Sequence, residues 1–331
     1  MPAMLARTLS LIVLALAASA AEQDVERTFQ AAHAATAQDL QEITMTVRAV
    51  ANIPRIAVDE AQRTVAVRGT PAQVAVAEWL FGALDRPAGA APAAEYRAGD
   101  DDVVGVFYLV HAATPRDLQE IATSVRSVAD IGRLFVCSTP KAVAVRTTAA
   151  RAALAEWLIH QLDVPTGVQR PATDEYRLAG ANDDVTRVFY PAQAATPQDL
   201  QELVTTVRTI ADVQRIFTYN SPMAISARGT AAQLALTAWL VGELDRPAGT
   251  PRTAPPAYCV PGSDDVVRVF YFAQAANANE MQETASRIRG AAQIRRIFVC
   301  SAPKAVAMRG TAAQMAQAEQ VIQKRDKPAA P

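Results

Sequence analysis

The chain has 331 residues, a formal net charge of −1 and a sequence pI near 6.3. That balance leaves no basic excess to neutralise phosphates, which argues against nucleic acid as a partner. Three cysteines cannot all pair within one molecule, so no disulfide framework is expected.

Residues 1–21 carry one basic residue, Arg7, then an apolar run from Leu9 to Ala18 and the small triplet Ala18-Ser19-Ala20. This is the layout of a cleaved secretory signal, and the run is too short to span a bilayer. No later stretch is long and apolar enough for a transmembrane helix, and no cysteine follows the cleavage point to carry a lipid. A soluble exported or periplasmic protein is expected.

The rest of the chain says nearly the same thing four times. Leu84-Asp85 returns as Leu162-Asp163, Leu244-Asp245 and Arg325-Asp326, at displacements of 78, 82 and 81 residues, and Leu40, Leu118, Leu200 and Met281 keep the same spacing. The units are residues 24–86, 102–164, 184–246 and 265–327. Pro/Ala/Gly/Thr-rich stretches at 87–101, 165–183 and 247–264 read as linkers. Each linker still repeats a tyrosine (Tyr96, Tyr176, Tyr258) and a pair of aspartates (Asp101-Asp102, Asp183-Asp184, Asp264-Asp265), which a pure spacer has no reason to do.

Within a unit the order is strand, helix, strand, strand, helix. In the third copy the first strand is placed at Arg187–Tyr190, matching Gly105–Tyr108 and Arg268–Tyr271. The first helix opens at Thr196-Pro197-Gln198-Asp199, where the threonine caps, proline loses nothing and the acidic residue suits the helix dipole. Leu200, Leu203, Val204, Val207 and Ile210 then fall on one helical face. A hairpin follows, Arg215–Tyr219 and Ala224–Arg228, with Ile216, Thr218, Ile225 and Ala227 on one face and Phe217 and Tyr219 on the other. The second helix starts with a Thr-x-x-Gln capping box, from which the second copy departs at Arg151. A proline after Asp85-Arg86 stops it in the first copy.

The run Arg55–Asp59, Val65-Ala66-Val67-Arg68-Gly69-Thr70-Pro71 and Leu84-Asp85, with a helix opening on Asp39-Leu40, resembles the short N-terminal domain of bacterial secretins. The resemblance covers all four repeats, with departures at Thr147 and at Lys324-Arg325-Asp326. It implies an α+β chain of four tandem βαββα modules, KH-like in fold. In that family such modules stack as periplasmic rings below an outer-membrane pore. The family's pore-forming region is expected after the modules, whereas this sequence closes on Pro328-Ala329-Ala330-Pro331.

Candidate chemistry is sparse. His33 and His111 share a position with Gln193 and Gln274, which a metal or catalytic histidine would not do, and His160 has no companion ligand. The paired aspartates lack the spacing and glycine of a calcium loop and read as a solvated acidic turn. The Gly-Thr pair after the third strand makes no phosphate cradle. No cofactor, no metal and no catalytic residue is therefore expected. Cys137 and Cys300 share a position with Asp59 and Tyr219. That position accepts a charge or a phenol and is expected outside the deep core; a Cys259–Cys300 bridge is the alternative.

What recurs is a surface. Trp79, Trp157 and Trp239 stand at one helix position, roughly 150° from the buried stripe, so a neighbour or a linker is expected against them. Phe135, Phe217 and Phe298 lie on the sheet face opposite Leu134, Ile216 and Ile297; helices packed on one side leave that face apolar and open, unless the linker tyrosine covers it. Arginines recur at Arg48, Arg126, Arg208 and Arg289, at Arg55, Arg133, Arg215 and Arg296, and at Arg68, Arg146, Arg228 and Arg309. They read either as screened surface charge or as partners of the aspartates of an adjacent copy. The expectation is a non-enzymatic interaction array for a protein partner in the cell envelope, alongside a secretion or pilus assembly, or for self-association. A KH-like nucleic-acid binder, opposed by export, charge and the lack of a Gly-x-x-Gly loop, and an exported enzyme with an unrecognised site are the alternatives.

Overall fold

Thr36, Thr114 and Thr196 each place their hydroxyl over the first turn of a helix and accept from the backbone N–H three residues on, while the aspartate there accepts from the threonine N–H. These reciprocal caps fix where the first helix of a unit begins. The computed structural model describes residues 23–87, 92–165, 174–180, 183–246, 257–272 and 277–325. The leader at 1–21, Gln274 and Asp326 lie outside the described residues.

Unit 1 comprises β1 (Val25–Gln30), α1 (Ala37–Val50), β2 (Arg55–Asp59), β3 (Thr64–Gly69) and α2 (Pro71–Leu84). Unit 2 adds a strand in front: β4 (Ala94–Arg97), then β5 (Val103–Tyr108), α3 (Pro115–Val128), β6 (Arg133–Cys137), β7 (Ala142–Thr147) and α4 (Ala149–Leu162). Unit 3 repeats this with β8 (Glu175–Arg177), β9 (Val185–Phe189), α5 (Pro197–Ile210), β10 (Arg215–Tyr219), β11 (Ala224–Gly229) and α6 (Ala231–Leu244). Unit 4 has β12 (Tyr258–Cys259), β13 (Asp265–Tyr271), α7 (Ala278–Ala292), β14 (Arg296–Cys300), β15 (Ala305–Thr311) and α8 (Ala312–Arg325). The chain is thus α+β, with four βαββα units. The first strands of units 2 to 4 begin two or three residues earlier than the sequence suggests.

Each sheet is antiparallel, with the third core strand in the middle: β1-β3-β2, β4-β5-β7-β6, β8-β9-β11-β10 and β12-β13-β15-β14. The ordered tyrosine of each linker lies on the added strand, which belongs to the sheet of the unit that follows. Side-chain alternation then sorts the faces. Phe107, Leu134, Val143 and Val145 of unit 2 join Leu118, Val125 and Leu158 of the unit's own helices. Val104, Val106, Tyr108, Cys137 and Ala144 on the opposite face join Val47, Val50, Val76 and Leu80 of unit 1. Units 2/3 and 3/4 repeat the arrangement.

The second sheet face is therefore not open, as expected from an isolated unit, but covered by the helices of the unit before it. A module of about 60 residues buries a marginal core alone. Here each inner unit is sandwiched, and its sheet is buried on both sides.

The repeated aspartate after the second helix organises a loop. Asp85 accepts from the backbone N–H groups of Ala32, His33 and Ala34 at 2.6–2.9 Å, and Asp163 does the same for Val110, His111 and Ala112. A buried or crowded loop must place its N–H groups somewhere, and one carboxylate takes three.

Candidate functional site

Three seams join the four units, and most of the residues singled out from the sequence converge on them; Arg68 lies outside them, and Arg126 and Arg208 donate to the carbonyls of Leu134 and Ile216 in their own units. Arg146 holds Asp102 with Nε and Nη2, the closest approach being 2.6 Å, and donates from Nη1 to the carbonyl of Val50 at 2.8 Å. Val50 is the last residue of α1, so the guanidinium meets the negative end of the preceding unit's helix. Arg228 repeats this with Asp184 and Val128, and Arg309 with Asp265 and Ile210. A guanidinium can do both at once, because one edge of its fork grips a carboxylate while the remaining N–H reaches a carbonyl. This arginine thus meets the aspartate of its own unit and the backbone of the neighbour, while Arg215 and Arg296 meet Asp130 and Asp212 of the adjacent copy.

The acidic turn is exposed at its first aspartate, and in units 2 and 3 both of its carboxylates are also bonded. Asp101 accepts from Ala149 N at 3.0 Å and Asp183 from Ala231 N, each at the start of a second helix, and the aspartate that follows is the arginine's partner. The bonded Arg146 guanidinium holds the Asp102 carboxyl below its ordinary value, against the opposing effect of burial.

Trp79, Trp157 and Trp239 are half-buried, each against the tyrosine of the added strand that follows: Tyr96, Tyr176 and Tyr258, with ring centroids 5.5–5.6 Å apart. Such contacts contribute about 0.5–1.5 kcal/mol beyond area burial. The tyrosine covers the tryptophan of the unit behind it while its strand extends the sheet in front. Phe135, Phe217 and Phe298 are half-buried in the same seams, packed on the preceding unit's core. Tyr108 and Tyr271 send their hydroxyls to the carbonyls of Ala83 and Glu243 at 2.5 and 2.9 Å, and Tyr190 bonds to that of Gln161.

The cysteine position reverses the sequence expectation. Cys137 and Cys300 are 0% and 1% exposed, Tyr219 at the matching position is buried too, and the thiols contact Thr46 and Thr206 at 3.4 and 3.0 Å. Burial pushes both thiols up to about 12, so they stay protonated and unreactive. Asp59 tolerates its charge because no described unit covers the unit 1 sheet. All three cysteines are free, Cys259 being exposed.

Glutamates on the first helices complete each seam. Glu42 accepts from Ser138 N, Glu120 from Asn220 N and Glu202 from Ser301 N, at 2.6–2.8 Å, pinning the next unit's hairpin turn. Asp39 also bonds the Thr139 hydroxyl across the first seam. At the third seam Ala302 occupies the position of Thr139 and has no hydroxyl to offer, and a cavity of about 160 Å³ lies there beside Asp199 and Cys300. These glutamates recur in every copy, Glu283 included, and their recurrence was the signal for their role.

The ends differ from the seams. Where inner sheets present Val104, Val106, Tyr108 and Cys137 or their equivalents, unit 1 presents Glu26, Thr28, Gln30 and Asp59, all exposed. Where inner helices present Leu236, Trp239 and Thr206, unit 4 presents Gln317, Gln320 and Arg287, also exposed. Arg68 keeps a looser pair with Asp24, at 3.6 Å and 47% side-chain exposure, against 6% for Arg228.

Among the described residues no group of three or more His, Cys, Asp or Glu side chains is placed to hold a metal ion. His33 Nδ1 lies 3.0 Å from the Asp85 carbonyl, within the loop that Asp85 organises. No helix among the described residues is long and apolar enough to cross a membrane.

No protein-family model matches the chain, and no curated protein matches it. Among solved structures it is similar to Aeromonas hydrophila ExeD at 16% identity, over 69% of this chain and 42% of that one, with a TM-score of 0.17. It is similar to Dim2p from Pyrococcus horikoshii OT3 at 18% identity, over 42% and 90%, with a TM-score of 0.23. It is also similar to a chain of the ETEC pilotin–secretin AspS–GspD complex at 13% identity, over 91% and 55%, with a TM-score of 0.17. The chain thus spans about half the length of the ExeD and AspS–GspD chains it matches. Scores of this size leave function to be read from the chain itself.

Proposed function

We propose that this chain is an exported, non-enzymatic protein-interaction array of secretin N-domain-like modules, working at the cell envelope alongside a secretion or pilus assembly. One observation carries the reading. The same helix face docks on the same sheet face three times, through apolar, aromatic and charge-assisted contacts that together resemble a protein–protein interface. The module is a docking unit, and its recurring residues serve docking rather than a reaction.

Balanced charge supports a protein partner over nucleic acid. The apolar leader at residues 1–21 supports export. Cross-linking in the intact native envelope, followed by identification of what is joined to the chain, tests the reading. Components of a secretion or pilus assembly are expected, at lysines and carboxylates on the outer faces of the units. Recovery of the chain from the cytoplasmic fraction with its leader uncleaved would overturn it.

A further inference from the structure

The array ends on two faces of the kinds that dock within it. No described unit packs on the unit 1 sheet or on the outward helix face of unit 4. In the seams, one helix position (Thr46, Ser124, Thr206) stands over one sheet position (Cys137, Tyr219, Cys300), with direct contacts of 3.4 and 3.0 Å for the two Thr–Cys pairs. At the two ends of the described array the corresponding residues are Arg287 on the helix and Asp59 on the sheet. Opposite charges therefore occupy these two positions of a fourth seam, while the same register sets Glu283 over the Asp59-Glu60 turn, as Glu42 stands over Cys137-Ser138, so that Arg287 is the cation between them.

From this register we infer that the two ends recognise each other in trans, so that copies of the chain associate head to tail, with Arg287 of one copy facing Asp59 of the next. The retained Arg68–Asp24 pair supports the same partner. At each inner seam its counterpart spends the remaining guanidinium N–H on the carbonyl that ends the preceding helix, and Arg68 has no such helix ahead of it among the described units.

The contact is of a different strength from the seams. Exchanging valine, tyrosine and tryptophan for Glu26, Gln30 and Gln320 removes the apolar centre that makes the inner contacts permanent, and leaves a polar, reversible one. Exposed charges attract only over a Debye length, so the association weakens with salt. A head-to-tail contact is heterologous, and it builds rings or filaments according to whether its rotation closes. The inference goes beyond the envelope role and stands or falls separately from it.

Sedimentation velocity of the purified chain, over a wide concentration range at about 10 mM and about 1 M salt, decides the matter. The weight-average mass is expected to rise with concentration at low salt and to fall to that of one chain at high salt. Asp59→Asn keeps the acceptor that Asp59 Oδ1 offers to Gln62 N while removing the charge, and should lower the association constant about two- to fivefold. Arg287→Glu should lower it further, and Asp59→Lys combined with Arg287→Glu should restore it. Both positions are exposed, and circular dichroism checks that each variant is folded. A mass of one chain at every concentration and salt would overturn the inference and make both faces caps. Association indifferent to Arg287→Glu, or not restored by the paired reversal, would overturn it by placing the contact elsewhere.

Discussion

Arg228 and Val128 are joined across a unit boundary: Nη1 of Arg228 donates to the Val128 carbonyl at 2.8 Å while Nε and Nη2 hold Asp184 at 2.8 and 2.5 Å. The side chain is 6% exposed, so its removal leaves a carboxylate and a helix end without their donor in a nearly dry seam. Arg228→Ala is expected to cost about 3–5 kcal/mol, against less than about 1 kcal/mol for Arg68→Ala at the exposed end. Arg228→Lys should fall between, keeping charge but losing the fork. Urea unfolding followed by circular dichroism gives the ranking, and equal losses at Arg68 and Arg228 would sink it.

Thiol chemistry reads the seams directly. Cys259 is exposed, whereas Cys137 and Cys300 lie in the first and third seams. One of the three thiols should therefore react with an aromatic disulfide reagent within seconds to minutes, and the other two only after a seam opens. Phe135→Ala should speed the Cys137 reaction and leave Cys300 unchanged, because Phe135 packs in the first seam alone. Mass spectrometry of the labelled chain assigns each site. Three equally fast thiols would show that the seams are not closed in solution.

The βαββα order, the caps and the face alternation of Phe217 against Ile216 were all legible, since helical period, strand alternation and Thr-x-x-Gln boxes act within a few residues. The seam was not, because nothing inside one unit says what covers Phe135. The signal lay in how the end copies differ from the inner ones. Asp59 against Cys137, Tyr219 and Cys300 reads as tolerance when the copies are treated as equivalent, and as position along the stack when they are not. Gln320 in place of a tryptophan carries the same information at the other end.

Acid should weaken the Asp102–Arg146 pair of unit 2, whose guanidinium borders the first seam. Asp102 has a depressed folded value, with the Arg146 bond as the principal cause. Such a carboxylate contributes stability that is fully present above its unfolded value of about 3.9 and is lost as pH falls through the folded value. Stability is thus expected to be flat in this respect from pH 7 to about pH 5 and to decline below about pH 4. Asp102→Asn should be less stable at neutral pH and show a shallower decline below pH 4. Urea midpoints at a series of pH values make the comparison, and parallel curves for the two proteins would remove Asp102 from the account.

The departure of unit 2 from the Thr-x-x-Gln box is a coupled exchange of two residues. A Cβ on Gly69, Gly229 or Gly310 would lie 2.6–2.8 Å from the side-chain oxygen of Gln73, Gln233 or Gln314, so glycine makes room for the capping glutamine. Unit 2 has Thr147 at the glycine position, and Arg151 at the glutamine position reaches instead to the Asp130 carbonyl and carboxylate at 3.0 Å. In unit 3 the same carbonyl, that of Asp212, already accepts from Gln233 at 2.8 Å. Gly229→Thr alone should therefore destabilise the protein by about 1–3 kcal/mol through the clash. Gln233→Arg alone should cost about 1 kcal/mol through the missing cap. The double change should recover most of the loss, because the introduced threonine no longer meets an amide and the introduced arginine finds Asp212. A double-mutant cycle by urea unfolding measures this coupling, and simple additivity of the two single effects would show that the two positions vary independently.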